Sequence, residues 1–194
     1  MSSTSSRGLQ ELILAGAKDI EVSHITGNLS DDAKRRSVSA FTYFVSTVDK
    51  SYGASVGQRL KPLEMNVWKE GSAAAYGETV FEITVDKDMC NVFGTLHGAC
   101  AAYIIDPCSV SALITLGRTI GVDGTGVSQS MNLIWHRSIR LGSKLRVVST
   151  SMSLRGRVRS SRCELWEGDN LCVSAVHSTV NPWKNGPSQE KSKL

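Results

Sequence analysis

Three kinds of hydrophobic spacing succeed one another along the chain. Over residues 31–49, DDAKRRSVSAFTYFVSTVD, the apolar positions Val38, Phe41, Val45 and Val48 recur at helical spacing. That pattern predicts a helix with one face packed on a core. Ser30 suits its N-cap, and Asp31 and Asp32 fall in the first turn, where the helix dipole favours negative charge. A shorter helix is predicted over 8–19 from Leu9, Leu12, Ile13 and Ala17, after a disordered start at residues 1–7. The stretch SYGASVGQRLKP, residues 51–62, reads as a loop. From residue 63 the period becomes two, which predicts strands over 63–70 and 73–86. In TVFEITVD, Thr79, Phe81, Ile83 and Val85 alternate with Val80, Glu82, Thr84 and Asp86. Residues 97–117 are then apolar nearly all round, the mark of a fully buried helix. Asp106, Pro107 and several serines interrupt that run and argue against a membrane span.

Four more strand-like segments follow, 126–137, 143–155, 157–168 and 170–181, separated by the turns RLGS, LRGR and EGDN. No internal repeat is present. Two strands, one buried helix and a meander of strands give an α+β class. An antiparallel sheet enclosing a long helix lets the two apolar surfaces cover each other. A second copy of the subunit would cover the far side of that helix.

Composition changes this picture little. The 194 residues carry a net charge of +4, with pI near 8.9. That is too weakly basic to imply nucleic acid, and no readout motif accompanies it. Five cysteines without C-x-x-C spacing suggest neither a disulfide frame nor a zinc site. They fit a reducing compartment. Glu11 argues against a transit peptide.

The chemistry concentrates in residues 91–106, NVFGTLHGACAAYIID. A helix beginning near His97 leaves its first N–H groups unpaired at a positive dipole end. Gly98 lets a ligand approach its N–H closely, so an oxygen gaining negative charge would be stabilised there. Asn91 offers a donor and an acceptor just upstream. Asp106 is a carboxylate in an apolar run, which is costly unless partnered. It lies eight residues after Gly98, roughly 12 Å along an ideal helix axis. The two groups would meet at one carbonyl only if two subunits packed these helices in opposite directions, which places the site across a twofold axis. Pro107 removes a helical N–H immediately after Asp106 and predicts a kink.

The motif N-x-x-G-x-L-H-G, with Asn91, Gly94, Leu96, His97 and Gly98, followed by Asp106, resembles the hotdog-fold acyl-CoA thioesterases of the PaaI and thioesterase-superfamily-member-2 type. GVSQSMN at 126–132 looks like the family's G-V-S-x-x-M-N strand, and RLGS like its next turn. The resemblance runs from about Leu63 to Val180. It implies an antiparallel sheet of five or six strands around a long helix, in dimers or tetramers of dimers. It also implies roles. The Gly98 N–H polarises the thioester carbonyl, and Asn91 and His97 place the substrate or water. The partner subunit's Asp106 activates the water or attacks directly, and Ser128 orients the water. Ala99, where the family has a second Gly, and Pro107 depart from its pattern.

The thioester needs only a positioned water, a base and an oxyanion site, so no metal and no cofactor is expected; coenzyme A enters as part of the substrate. Arg155, Arg157 and Arg159, with Arg162 in the same LRGRVRSSR cluster, form either a solvated basic face or a clamp for the phosphates of coenzyme A. His136 and Arg137 are further candidates for that clamp. His24 and His177 have no nameable partner and read as structural. GVSQS is not a G-x-S-x-G elbow, so a serine hydrolase is not indicated.

The expected organisation is an extension over 1–62, a hotdog domain over 63–181 and a flexible tail over 182–194. That tail ends in Ser192, Lys193 and Leu194, the address read by the peroxisomal import receptor. Chance gives that tripeptide on the order of one time in several thousand. The sequence therefore reads as a peroxisomal acyl-CoA thioesterase in lipid metabolism, a homodimer or homotetramer. The alternative is a hotdog protein that binds acyl-CoA without turnover. For the extension, capping the acyl pocket, packing on a neighbouring subunit and adding stability all stay open.

Overall fold

The computed structural model describes residues 16, 17, 19–45, 51–69 and 75–181. Helix α1 spans Asp31–Val45, and a four-residue helix α2 spans Ala54–Gly57. Strands β1 (Lys61–Trp68) and β2 (Tyr76–Thr84) follow, then a short 3-10 turn at Lys87–Met89. Helix α3 runs over Gly98–Ile120, and the chain ends in β3 (Val127–Trp135), β4 (Lys144–Ser153), β5 (Val158–Glu167) and β6 (Asn170–Val180). The six strands form one antiparallel sheet in the order β1-β2-β4-β5-β6-β3. It wraps α3, the α+β arrangement that the resemblance implies.

Two sequence expectations need correction. The stretch over 51–62 is not all loop: it holds α2, and β1 already starts at Lys61. Of the helix over 8–19, Gly16, Ala17 and Asp19 are in turns, and the rest lies outside the described residues. So do residues 46–49 of the second helix and the tripeptide Ser192, Lys193 and Leu194.

α3 starts where His97 caps it and stops at Gly121, whose φ of 72° is the left-handed turn that ends a helix. Its length and hydropathy would suffice to cross a membrane. In this fold it is instead the core: Ile104, Ile105, Cys108, Ala112 and Leu113 are all buried. The Ser111 hydroxyl donates to the Cys108 carbonyl three residues back, and Ser109 Oγ lies within reach of both the Asp106 carbonyl, at 2.9 Å, and His177 Nδ1, at 2.6 Å. The helix continues through Pro107.

Part of its far side is covered by this chain itself. α1 packs on α3, with Ala40 against Ile114 and with Tyr43 and Val110 beside them. The segment before α1 belongs to the same core through Val22 and Ile25. Lys34 and Arg35 tie it down by donating to the carbonyls of Ile25 and Ile20.

The inner face of the sheet changes character along its strands. In β4 the buried positions run Leu145, Val147, Ser149, Ser151. Across β5 they run Leu165, Cys163, Ser161, Arg159, and across β6 Val173, Ala175, His177, Thr179. One half of the sheet's inner face is therefore oily and the other polar, and α3 packs across β2, β4 and β5. The helix and β2 touch where Gly77 lacks a side chain: a Cβ there would stand 2.5 Å from the Ala112 carbonyl oxygen. Gly77→Ala is expected to cost about 1–3 kcal/mol by forcing the helix off the sheet. Chemical denaturation measures that loss.

Candidate active site

The loop before α3 is built by Asn91. Its Oδ1 accepts from the Phe93 and Thr95 N–H groups at 2.9 and 3.3 Å, and its Nδ2 donates to Thr95 Oγ1 at 2.9 Å. Gly94, with φ of 73°, turns the chain within that loop. The Asn91 carboxamide is thus engaged in shaping the loop. His97 is the N-cap, its Nδ1 accepting from the Ala99 N–H at 3.0 Å. That bond leaves the proton on Nε2, at the exposed side of the ring. Gly98 is the first helical residue, so its N–H has no acceptor within the helix. The Trp135 indole flanks it, 3.6 Å from where a Cβ would stand.

Asp106 lies two turns further along α3. Ser128 Oγ, on β3, donates to Asp106 Oδ1 at 2.9 Å, and about half of the Asp106 side chain remains exposed. Ser128 owes its aim to a bulge. It pairs with Thr179 and Ser130 with Ser178, so Gln129 is a surplus residue in β3. Thr179 faces the interior, and the bulge turns Ser128 to the same side.

His177 also meets Asp106, against the expectation that it had no partner. It is fully buried, with Nε2 3.5 Å from Asp106 Oδ1 and Nδ1 2.6 Å from Ser109 Oγ. If Ser109 kept its proton for the Asp106 carbonyl, Nδ1 would have to donate and the Nε2 lone pair would face a carboxylate. The charge favours the other arrangement, in which Ser109 donates to Nδ1 and the proton sits on Nε2, 3.5 Å from Asp106 Oδ1 and without a hydrogen-bond partner of its own. Nothing local in the sequence links residues 106 and 177; the inward alternation of β6 was the available signal.

Burial pushes the His177 pKa below the ordinary imidazole value, and the Asp106 charge opposes that shift. Folded His177 therefore takes up a proton less readily than the unfolded chain does. Its contribution to stability is complete above the unfolded pKa of about 6.5 and is lost as pH falls below it. Urea midpoints followed from pH 7.5 to 5 should fall, and His177→Gln should flatten that slope. An unchanged slope would contradict the assignment.

The five candidate phosphate ligands do not form one cluster. Arg155 and Arg157 are exposed on the β4–β5 turn, beside the Val127 end of β3. His136 and Arg137 follow the other end of β3, about 25 Å away at the rise of a strand. Arg159 corrects the expectation outright. It is 2% exposed, and its guanidinium donates to the Thr125 carbonyl. Burial lowers its pKa, with Asp123 opposing. It is not presented to a phosphate.

Two clefts open on these groups. One, of about 190 Å³, carries Asp106 and Ser128. The other, of about 280 Å³, lies beside the start of α3 and is lined by Leu96, Trp135, His136 and Arg137 among others. Among the described residues no cluster of His, Cys, Asp and Glu could hold a metal ion.

A family model described as the thioesterase superfamily matches residues 93–174, the stretch that supplies Gly98, Asp106 and Ser128. Acyl-coenzyme A thioesterase 13 of Homo sapiens is 31% identical over 85 residues, 44% of this chain and 57% of that protein, and its Pongo abelii counterpart matches equally. The chain thus spans a little over half the length of these curated relatives. The zebra fish thioesterase superfamily member 2 structure superposes with a TM-score of 0.56 at 20% identity, covering 72% of this chain and 91% of that one. The Mus musculus thioesterase superfamily member2 structure gives 0.51 at 18% identity, covering 65% and 84%. At these identities the likeness shows the fold, the hotdog arrangement of an antiparallel sheet around a long helix.

Proposed function

We propose that this chain is an acyl-CoA thioesterase, releasing a free acid and coenzyme A. The observation that carries the reading is the half-exposed Asp106 carboxylate, aimed by Ser128 at 2.9 Å and open to a cleft. In the proposed reaction Asp106 takes a proton from a water held with Ser128. The water oxygen bonds to the acyl carbon, and the carbonyl oxygen takes up negative charge. The C–S bond then breaks, and the thiolate leaves as coenzyme A. The oxyanion falls to a Gly98 N–H at a helix start.

Within one chain Gly98 and Asp106 stand about 12 Å apart along the helix. The reading therefore takes Gly98 from one subunit and the partner subunit's Asp106 for each site. The free side of β3, an edge strand with Val127, Ile134 and Trp135 exposed, supports association of two copies. A dimer or a tetramer built from it follows. The cleft with His136 and Arg137 beside Gly98 suits the coenzyme A arm. Ser192, Lys193 and Leu194 would send the enzyme to peroxisomes.

The rival reading, binding without turnover, draws on Ala99, Pro107 and the engagement of the Asn91 carboxamide in its own loop. Thiol release from a panel of acyl-CoA esters separates the two. Release supports the enzyme. Binding of the esters with no release at any chain length would overturn it in favour of the binder.

A further inference from the structure

We infer that α1 is the acyl gauge of this site: Phe41, Phe44 and Val45 close the cleft beside Asp106, and they limit the acyl group to a medium-length chain. The inference rests on the thioesterase reading, and it concerns residues outside the matched domain at 93–174.

The cleft has two unlike sides. Asp106 and Ser128 supply the polar one. The three α1 side chains, with Pro107 and Val110 of α3, supply apolar lining. No lysine or arginine lines it. A phosphate-bearing arm would meet the Asp106 charge with no cation to offset it, whereas an uncharged hydrocarbon meets an apolar wall. The Arg137 cation and the polar His136 line the other cleft. Charge thus assigns the acyl group to the first cleft and the coenzyme arm to the second.

The wall is held firmly. Phe41 is buried against Phe81, with ring centroids 4.5 Å apart. Tyr103, also in the lining, rests on α2: a Cβ on Gly57 would come within 2.7 Å of its hydroxyl oxygen. Phe44 is 47% exposed and forms the lip. The volume of about 190 Å³ falls below the ~300–1,000 Å³ of whole-ligand pockets. At ~30 Å³ for a water-sized group it takes about six such groups in line. With the carbonyl carbon at the water beside Asp106 and the terminal methyl at Phe44 added to those six, an acyl chain of about eight carbons fits; one of sixteen must pass over Phe44.

The test is kcat/KM for saturated acyl-CoA esters from four to sixteen carbons, for the natural protein, Phe44→Ala and Val110→Phe. A maximum near eight carbons is expected. Val110→Phe should lower the eight-to-four-carbon ratio by about tenfold or more, since one methylene in an apolar pocket discriminates about 10–200-fold. Phe44→Ala should raise the sixteen-to-eight-carbon ratio by a comparable factor. Because Phe44 is half exposed, its variant keeps the test decisive if Val110→Phe fails to fold. Hydrolysis with both ratios unchanged within twofold would overturn the gauge alone. No hydrolysis at any length by the natural protein would overturn the thioesterase reading and the gauge with it.

Discussion

Asp106→Asn is expected to lower kcat on acyl-CoA by about 10²–10⁴-fold, the usual worth of a positioned general base. The substitution keeps the shape of the side chain, and Ser128 still has an oxygen to donate to. It removes the charge that would take a proton from water. KM should change little, because the carboxylate acts on the water rather than on the coenzyme arm, so kcat and kcat/KM should fall together. The variant also takes the charge away from the face of His177. Burial then acts on the imidazole unopposed, so the acid-side loss of stability should persist. A variant with a near-natural kcat and unchanged folding would remove Asp106 from the chemistry.

Gly98→Val is the second large effect. The first turn of α3 has room for a Cβ, since Trp135 lies at ordinary contact distance, 3.6 Å. Folding should therefore survive while the added bulk keeps the carbonyl off the N–H. Loss of one oxyanion donor costs about 10²–10³-fold in kcat. Mixing the two inactive proteins then tests the shared site. In a mixed dimer one site receives an intact Gly98 from one chain and an intact Asp106 from the other, while the second site receives both lesions. With random exchange, about one quarter of natural activity should return. If subunit exchange is verified and nothing returns, each site draws both groups from a single chain.

How much of this was legible in the sequence varied from element to element. The buried helix and the strands were read from period and turn chemistry, with ends off by a few residues, because α3 and the inner strand positions obey simple spacing. α2 was missed because ASVG is one turn long and carries no period. Ser128 shows a deeper limit. Counting alternation back from Met131, the less exposed side of β3, would place Gln129 inward and Ser128 outward. The bulge reverses that parity, and no propensity marks it. Resemblance had named Ser128, where alternation alone would have discarded it. His177 shows the opposite failure. It reads as structural from the sequence because its partner is 71 positions away, a pairing that only the packing of the sheet on α3 creates. The cationic cluster misled for a related reason: Arg159 alternates inward from its exposed neighbours, and the sheet buries it.

α1 shares a cleft with Asp106 and Ser128. It contributes no group to the proposed bond-making and lies in a different stretch of chain from the matched domain. The two parts can therefore diverge at different rates. On the thioesterase reading, replacements along this fifteen-residue helix would change which molecules the protein accepts and leave Asp106 and Ser128 in place.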